Sequence, residues 1–141
     1  MRKLYRAGAK KHFDTLAIHS YTETHAALVR QLKGIRAEMR HNRDGAKMWI
    51  TEIGWADTGN RHYLVKGAKG QAREITNSIA LIKKRRRSQR LRGFIYYQWR
   101  DAPSYREGLD PGTWGLHAGL LKQNGEQKRA HGAFRKAVAK L

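Results

Sequence analysis

Cysteine is absent from the 141 residues, so a disulfide framework and a thiolate metal site are both excluded, and the redox compartment stays open. No apolar run is long enough to cross a bilayer. Met1-Arg2-Lys3 has the basic character of a secretory leader, but Leu4 to Lys11 never becomes the apolar stretch that a leader needs. The chain therefore reads as soluble, with no signal peptide and no membrane partner. No linker rich in proline, glycine or serine divides it, and residues 1–141 read as one unit. Acids are scarce: 11 Asp and Glu stand against 30 Lys and Arg, a formal charge of +19. Such a field attracts nucleic acid nonspecifically, and the attraction falls steeply with salt. The basic residues are spread along the chain, and only Lys83-Lys84-Arg85-Arg86-Arg87 forms a dense run, as expected of the exposed end of a helix.

A hydrophobic content of 40% with 9% aromatics is enough for a folded core. Helical and strand periods alternate. Leu4 to Lys11 reads as the tail of a helix with Gly8 near its end, and Phe13 to His19 as a strand. From Thr24 to His41, Leu28, Leu32, Ile35 and Met39 recur at helical spacing, and Lys47 to Glu52 is the second strand. From Gly67 to Arg87, Ala72, Ile75, Ile79 and Ile82 form another stripe, and Gly93 to Trp99 is the third strand. A last helix spans Glu126 to Leu141, with Ala130, Phe134, Ala137, Val138 and Leu141 on one face. Strands alternating with long amphipathic helices predict an α/β fold of parallel βα units.

The chemistry gathers where the strands end. In Trp49-Ile50-Thr51-Glu52-Ile53-Gly54-Trp55 an apolar run stops at a carboxylate and then breaks at a glycine, as at the mouth of a parallel barrel. The two long strand-to-helix connections, Gly54 to Lys66 and Arg100 to Gly125, are rich in Gly, Asp and aromatics, and loops in that position carry sites. Strand parity places Met48, Ile50 and Glu52 on one side of the sheet, and Ile95, Tyr97 and Trp99 likewise, with both sets lining the interior.

Taken together, Ile18-His19-Ser20-Tyr21, Trp49 to Trp55 and Tyr96-Tyr97-Gln98-Trp99-Arg100-Asp101 resemble the ends of strands six, seven and eight of clan A glycoside hydrolases, the retaining (β/α)8-barrel enzymes, with wording most similar to families 39 and 5. The resemblance implies a partial TIM barrel of about three βα units. It makes Glu52 the nucleophile that forms a glycosyl-enzyme, with Tyr21 hydrogen-bonded to it and His19 beside it on sugar hydroxyls. It makes Trp99 the platform under the sugar, with Trp55, Asp101 and Trp114 as further substrate-binding candidates from the loops. It implies a carbohydrate substrate, no cofactor and no metal. From the residues alone, Glu52 reads also as a surface carboxylate after a strand, but the apolar approach of Met48, Trp49 and Ile50 favours a functional one; His19 alone suits a structural histidine, Trp99 a cap on the core, and Trp114 is better suited to loop packing.

One element of that pattern is missing. A retaining glycosidase needs a second carboxyl group about 5 Å from the nucleophile to serve as acid and then base. In the resembled enzymes this is the Glu of an Asn-Glu pair at the end of strand four, and no Asn-Glu dipeptide occurs in the chain. Glu107, in the loop after the third strand, is a poor substitute. The chain alone is therefore expected to be inactive, as a truncated reading frame or as a partner of a second polypeptide bearing strands one to five. The competing class is a small basic nucleic-acid-binding protein, which would interleave aromatics with Arg and Lys on one face.

Overall fold

The computed structural model describes residues 1–103 and 110–141. A short helix α1 (Arg2–Arg6) ends where Gly8 takes φ 81°, and a 3-10 turn over Ala9–His12 follows, so the expected single helical tail is broken at the glycine. Then come β1 (Thr15–His19), α2 (His25–His41), β2 (Lys47–Ile53), α3 (Gly67–Arg85), β3 (Leu91–Tyr96), a 3-10 turn at Trp114–His117, and α4 (Arg129–Val138). Thr24 caps α2, its hydroxyl accepting the Ala27 N–H at 3.1 Å.

The three strands are parallel and neighbours in chain order, β1-β2-β3, with a helix in each crossover. That is the repeat of a (β/α)8 barrel, present here as three consecutive units. The stripes read on α2 and α3 face the sheet, whereas of the stripe read on the last helix Val138 and Leu141 are exposed, Leu141 because the helix ends at Val138. Leu28, Leu32 and Met39 of α2 and Ile75, Ile79 and Ile82 of α3 close over Met48, Ile50 and Ile53 of β2, all at most 4% exposed. Burial of each such side chain is worth about 1.5–3 kcal/mol, which makes this layer the main source of stability.

The face expected for Met48 and Ile50 is therefore corrected: both are fully buried beneath the helices and do not line the interior. The open face is formed by Trp49, 37% exposed, and Ile95, 53% exposed. Simple alternation fails because the register slips: Ile18 pairs with Ile50 but His19 pairs with Glu52. The extra residue is a β-bulge, which returns Ile53 to the core and releases Glu52 beside His19. In β3, Phe94 and Tyr96 pack against Phe134 of α4.

Two buried polar side chains fix the loops above the sheet. The Gln71 amide of α3 donates to the carbonyls of Trp55 (2.9 Å), Gly119 (3.2 Å) and Ala118 (3.3 Å). Lys128, just before α4, joins Asp57 of one loop at 2.8 Å to Asp101 of the other at 2.6 Å. Each loop is thereby tied to a helix.

Candidate active site

The carboxylate released by the bulge stands at the carboxyl-terminal edge of the sheet, one third exposed. Its Oε2 accepts a 2.6 Å hydrogen bond from the Tyr21 hydroxyl and lies 3.3 Å from Nδ1 of His19. No partner holds Oε1 among the described residues. Tyr21 ionises well above the ordinary tyrosine range, first because burial penalises the phenolate, then because Glu52 accepts its proton in a hydrogen bond and opposes it with negative charge. The phenol is thus a fixed donor at any physiological pH.

Aromatic rings surround the Tyr21 phenol that holds this carboxylate. Tyr21 meets His19 edge-on at 6.4 Å, Tyr97 at 6.0 Å and Trp114 at 5.0 Å between centroids. Trp114 also lies 6.1 Å from Tyr97 and stacks on His62 at 5.8 Å, with only 7° between planes. The Tyr63 hydroxyl, beside His62, donates to the Tyr21 carbonyl at 3.4 Å. Gly54 permits the central approach: a Cβ there would stand 2.0 Å from the Tyr97 carbonyl oxygen.

Of the residues singled out in the sequence, Glu52, His19, Tyr21 and Trp114 come together. Three others do not. Trp99 is 59% exposed and edge-on to His131 of α4 at 5.9 Å. The strand ends at Tyr96, and the chain then leaves β2 to pair with 120–121, where Leu120 and Leu121 donate to the Trp99 carbonyl. Trp55 is 3% exposed and belongs to the core, near His25. Asp101 is committed to Lys128 and to the Gly119 N–H; burial pushes its carboxyl up, and Lys128 opposes that shift. Glu107 lies outside the described residues.

His62 and Tyr63 were missed by sequence reading, and Tyr97 was placed on the interior face but not named as a site residue. Tyr97 carried a usable mark, since alternation from the apolar Ile95 puts it on the same face one step nearer the mouth. The adjacent ring pair His62-Tyr63 in the loop after β2 was the other clue.

No other carboxylate contacts Glu52 among the described residues. Asp57 and Asp101 are held by Lys128, and Glu74 by His25 and Arg73. No group of three His, Cys, Asp or Glu among the described residues is placed to hold a metal ion, and no described helix is long and apolar enough to cross a membrane.

Neither any family model nor any curated protein matches the sequence. Solved structures do match. A family 39 glycoside hydrolase from Bacteroides cellulosilyticus WH2 superposes with a TM-score of 0.67 over 99% of this chain and 30% of its own, at 22% identity. A family 2 β-galacturonidase from Eisenbergiella tayi gives 0.68 over 91% and 24%, at 15% identity. A family 17 β-1,3-glucanosyltransferase from Rhizomucor miehei gives 0.61 over 84% and 42%, at 20% identity. The fold is that of part of a (β/α)8 barrel, shared with these glycoside hydrolases, and the chain spans about a quarter to two fifths of these neighbours.

Proposed function

We propose that the chain supplies the nucleophile side of a retaining glycoside hydrolase site acting on the O-glycosidic bonds of a carbohydrate. The 2.6 Å hydrogen bond from Tyr21 to Glu52, at the mouth of a parallel barrel sector, carries this reading. With Oε2 occupied by Tyr21 and His19, Oε1 is the attacking oxygen. It forms a bond to the anomeric carbon as the bond from that carbon to the leaving oxygen breaks, and an acid protonates the leaving oxygen. Water then attacks the glycosyl-enzyme, giving its proton to the same group acting as base and freeing Glu52. Tyr21 limits the charge on Oε2 and fixes the carboxylate's orientation, while His19 is within reach of sugar hydroxyls. The apolar face of a sugar stacks on Tyr97 and Trp114, the rings packed on Tyr21, in place of Trp99.

The acid/base carboxyl comes from the strands that complete the barrel, one to five. The chain alone therefore turns over almost nothing, because proton donation contributes on the order of 10²- to 10⁴-fold. An aryl glycoside with a good leaving group is the fair substrate, since it needs that proton least. Adding a polypeptide that bears strands one to five with its Asn-Glu is expected to restore hydrolysis, and Glu52→Gln in the pair to abolish it. Robust cleavage by the chain alone, or activity that survives Glu52→Gln in the pair, would overturn the assignment.

A further inference from the structure

At the end of the sheet opposite Glu52, Lys47, Arg86, Arg87, Arg90 and Arg92 line a cavity of about 390 Å³ together with Leu91. Three parts of the chain converge there. Lys47 opens β2, Leu91 and Arg92 open β3, and Arg86 to Arg90 form the turn after α3. The turn is tightly closed: Leu91 donates to the Arg86 carbonyl at 2.9 Å, Arg90 to the Arg87 carbonyl at 3.1 Å, and Met48 to the Arg90 carbonyl at 3.1 Å. Arg90 sits at φ 53°, in the left-handed region that disfavours a side chain.

Two observations separate this cluster from an ordinary solvated face. None of its five cationic side chains has a hydrogen-bond or ion-pair partner among the described residues, and no carboxylate lines the cavity. Behind it Arg36, only 2% exposed, adds a further positive charge that Asp44 partly offsets, while donating to the Ala46 carbonyl at 2.8 Å. The carboxyl-terminal dipole of α3 explains cations on its own last turn, but not Lys47 and Arg92 arriving from two strands, nor an arginine where glycine would be unstrained. Like charges brought together without counterions repel, and an anion relieves them.

We propose that this cradle binds the phosphodiester backbone of a double-stranded nucleic acid, a function separate from the carbohydrate site. Guanidinium forks match paired phosphate oxygens, and four of the five cations are arginines. The cavity lining contains no aromatic ring on which an unpaired base could stack, so a duplex suits it better than a single strand. Leu91, its one apolar lining residue, is buried, so nothing there enters a bilayer. The two sites lie roughly 16 Å apart along β2, at about 3.3 Å per residue.

The test is fluorescence anisotropy with a labelled mixed-sequence 16-base-pair DNA duplex across a salt series. The triple variant R86A/R87A/R90A is expected to weaken binding at least tenfold and to flatten the plot of log affinity against log salt by about 0.9 for each phosphate no longer neutralised, roughly two to three in all. The triple variant R30A/K33A/K69A removes the same charge from exposed positions elsewhere and is expected to change affinity less than threefold. Arg90→Gly relieves the strained backbone, so it is expected to weaken binding while leaving the urea midpoint unchanged or higher. Equal losses in the two triple variants, wild-type binding by Arg90→Gly, preference for single-stranded DNA of the same length, or binding to phosphatidylglycerol vesicles in place of the duplex would each overturn the proposal.

Discussion

Glu52 owes its setting to its neighbours. Its Oε2 is tied to a phenol that burial and the carboxylate's own charge keep protonated. Tyr5 and Tyr96 are pushed above the ordinary range as well, in each case first by burial. A tyrosine with a raised folded value favours the fold below the unfolded value of about 10, and that contribution is lost as pH climbs through the folded value. Alkaline titration followed by ultraviolet absorbance should therefore show a late group of tyrosines that ionises with unfolding, and Tyr21→Phe should remove one of them. Lys128 gives a second test. Its side chain is 5% exposed between Asp57 and Asp101, and Lys128→Met leaves two carboxylates facing each other. Breaking such a buried group typically costs about 3–5 kcal/mol, visible as a lower urea midpoint. Burial already raises Asp101, and losing Lys128 raises it further. A raised carboxyl destabilises only where it is ionised, so the deficit should shrink as pH falls through the folded value of Asp101.

At the scale of elements, the helices were legible and the strand faces were not. The stripe Leu28, Leu32 and Met39 is buried as its spacing predicts, with Ile35 partly so, because the regular hydrogen-bond ladder of α2 keeps its period. Strands do slip. The bulge between Ile50 and Ile53 exchanges the faces on either side of Thr51, so parity counted from Met48 sends Glu52 the wrong way. Trp99 misled for a related reason: the apolar run continues past Tyr96, but the backbone turns to pair with 120–121, and Tyr97 inherits the place at the mouth. Trp55 and Asp101 look like site residues in sequence because loops favour function, yet here they close the loops onto α3 and onto Lys128. The junction between the strand ends depends on Gly54. Gly54→Ala places a Cβ 2.0 Å from the Tyr97 carbonyl oxygen, so backbone must move. Overpacking of this kind costs about 1–3 kcal/mol, and it should also displace Tyr97 from Tyr21. The expected readout is a lower urea midpoint together with impaired hydrolysis in the complemented pair.

For the molecule as a whole, charge and chemistry occupy opposite ends of the sheet. A helix that follows a parallel strand runs back toward the strand's start, which carries the basic run at the end of α3 down to Lys47 and Leu91 and away from Glu52. The helix-covered face is closed by its own core, while Trp49 and Ile95 leave the other face open, as suits three strands of an eight-stranded barrel. The central claim is that Glu52 is the nucleophile of such a barrel once it is completed. Its most direct test is covalent trapping: the chain paired with strands one to five, incubated with 2-deoxy-2-fluoro dinitrophenyl glycosides in gluco and galacto configuration, then digested and sequenced by mass spectrometry. A fluorosugar linked to Glu52, and absent from the Glu52→Gln pair, is the predicted result. A label on any other carboxyl group, or none from a pair that hydrolyses the parent glycoside, would contradict the account.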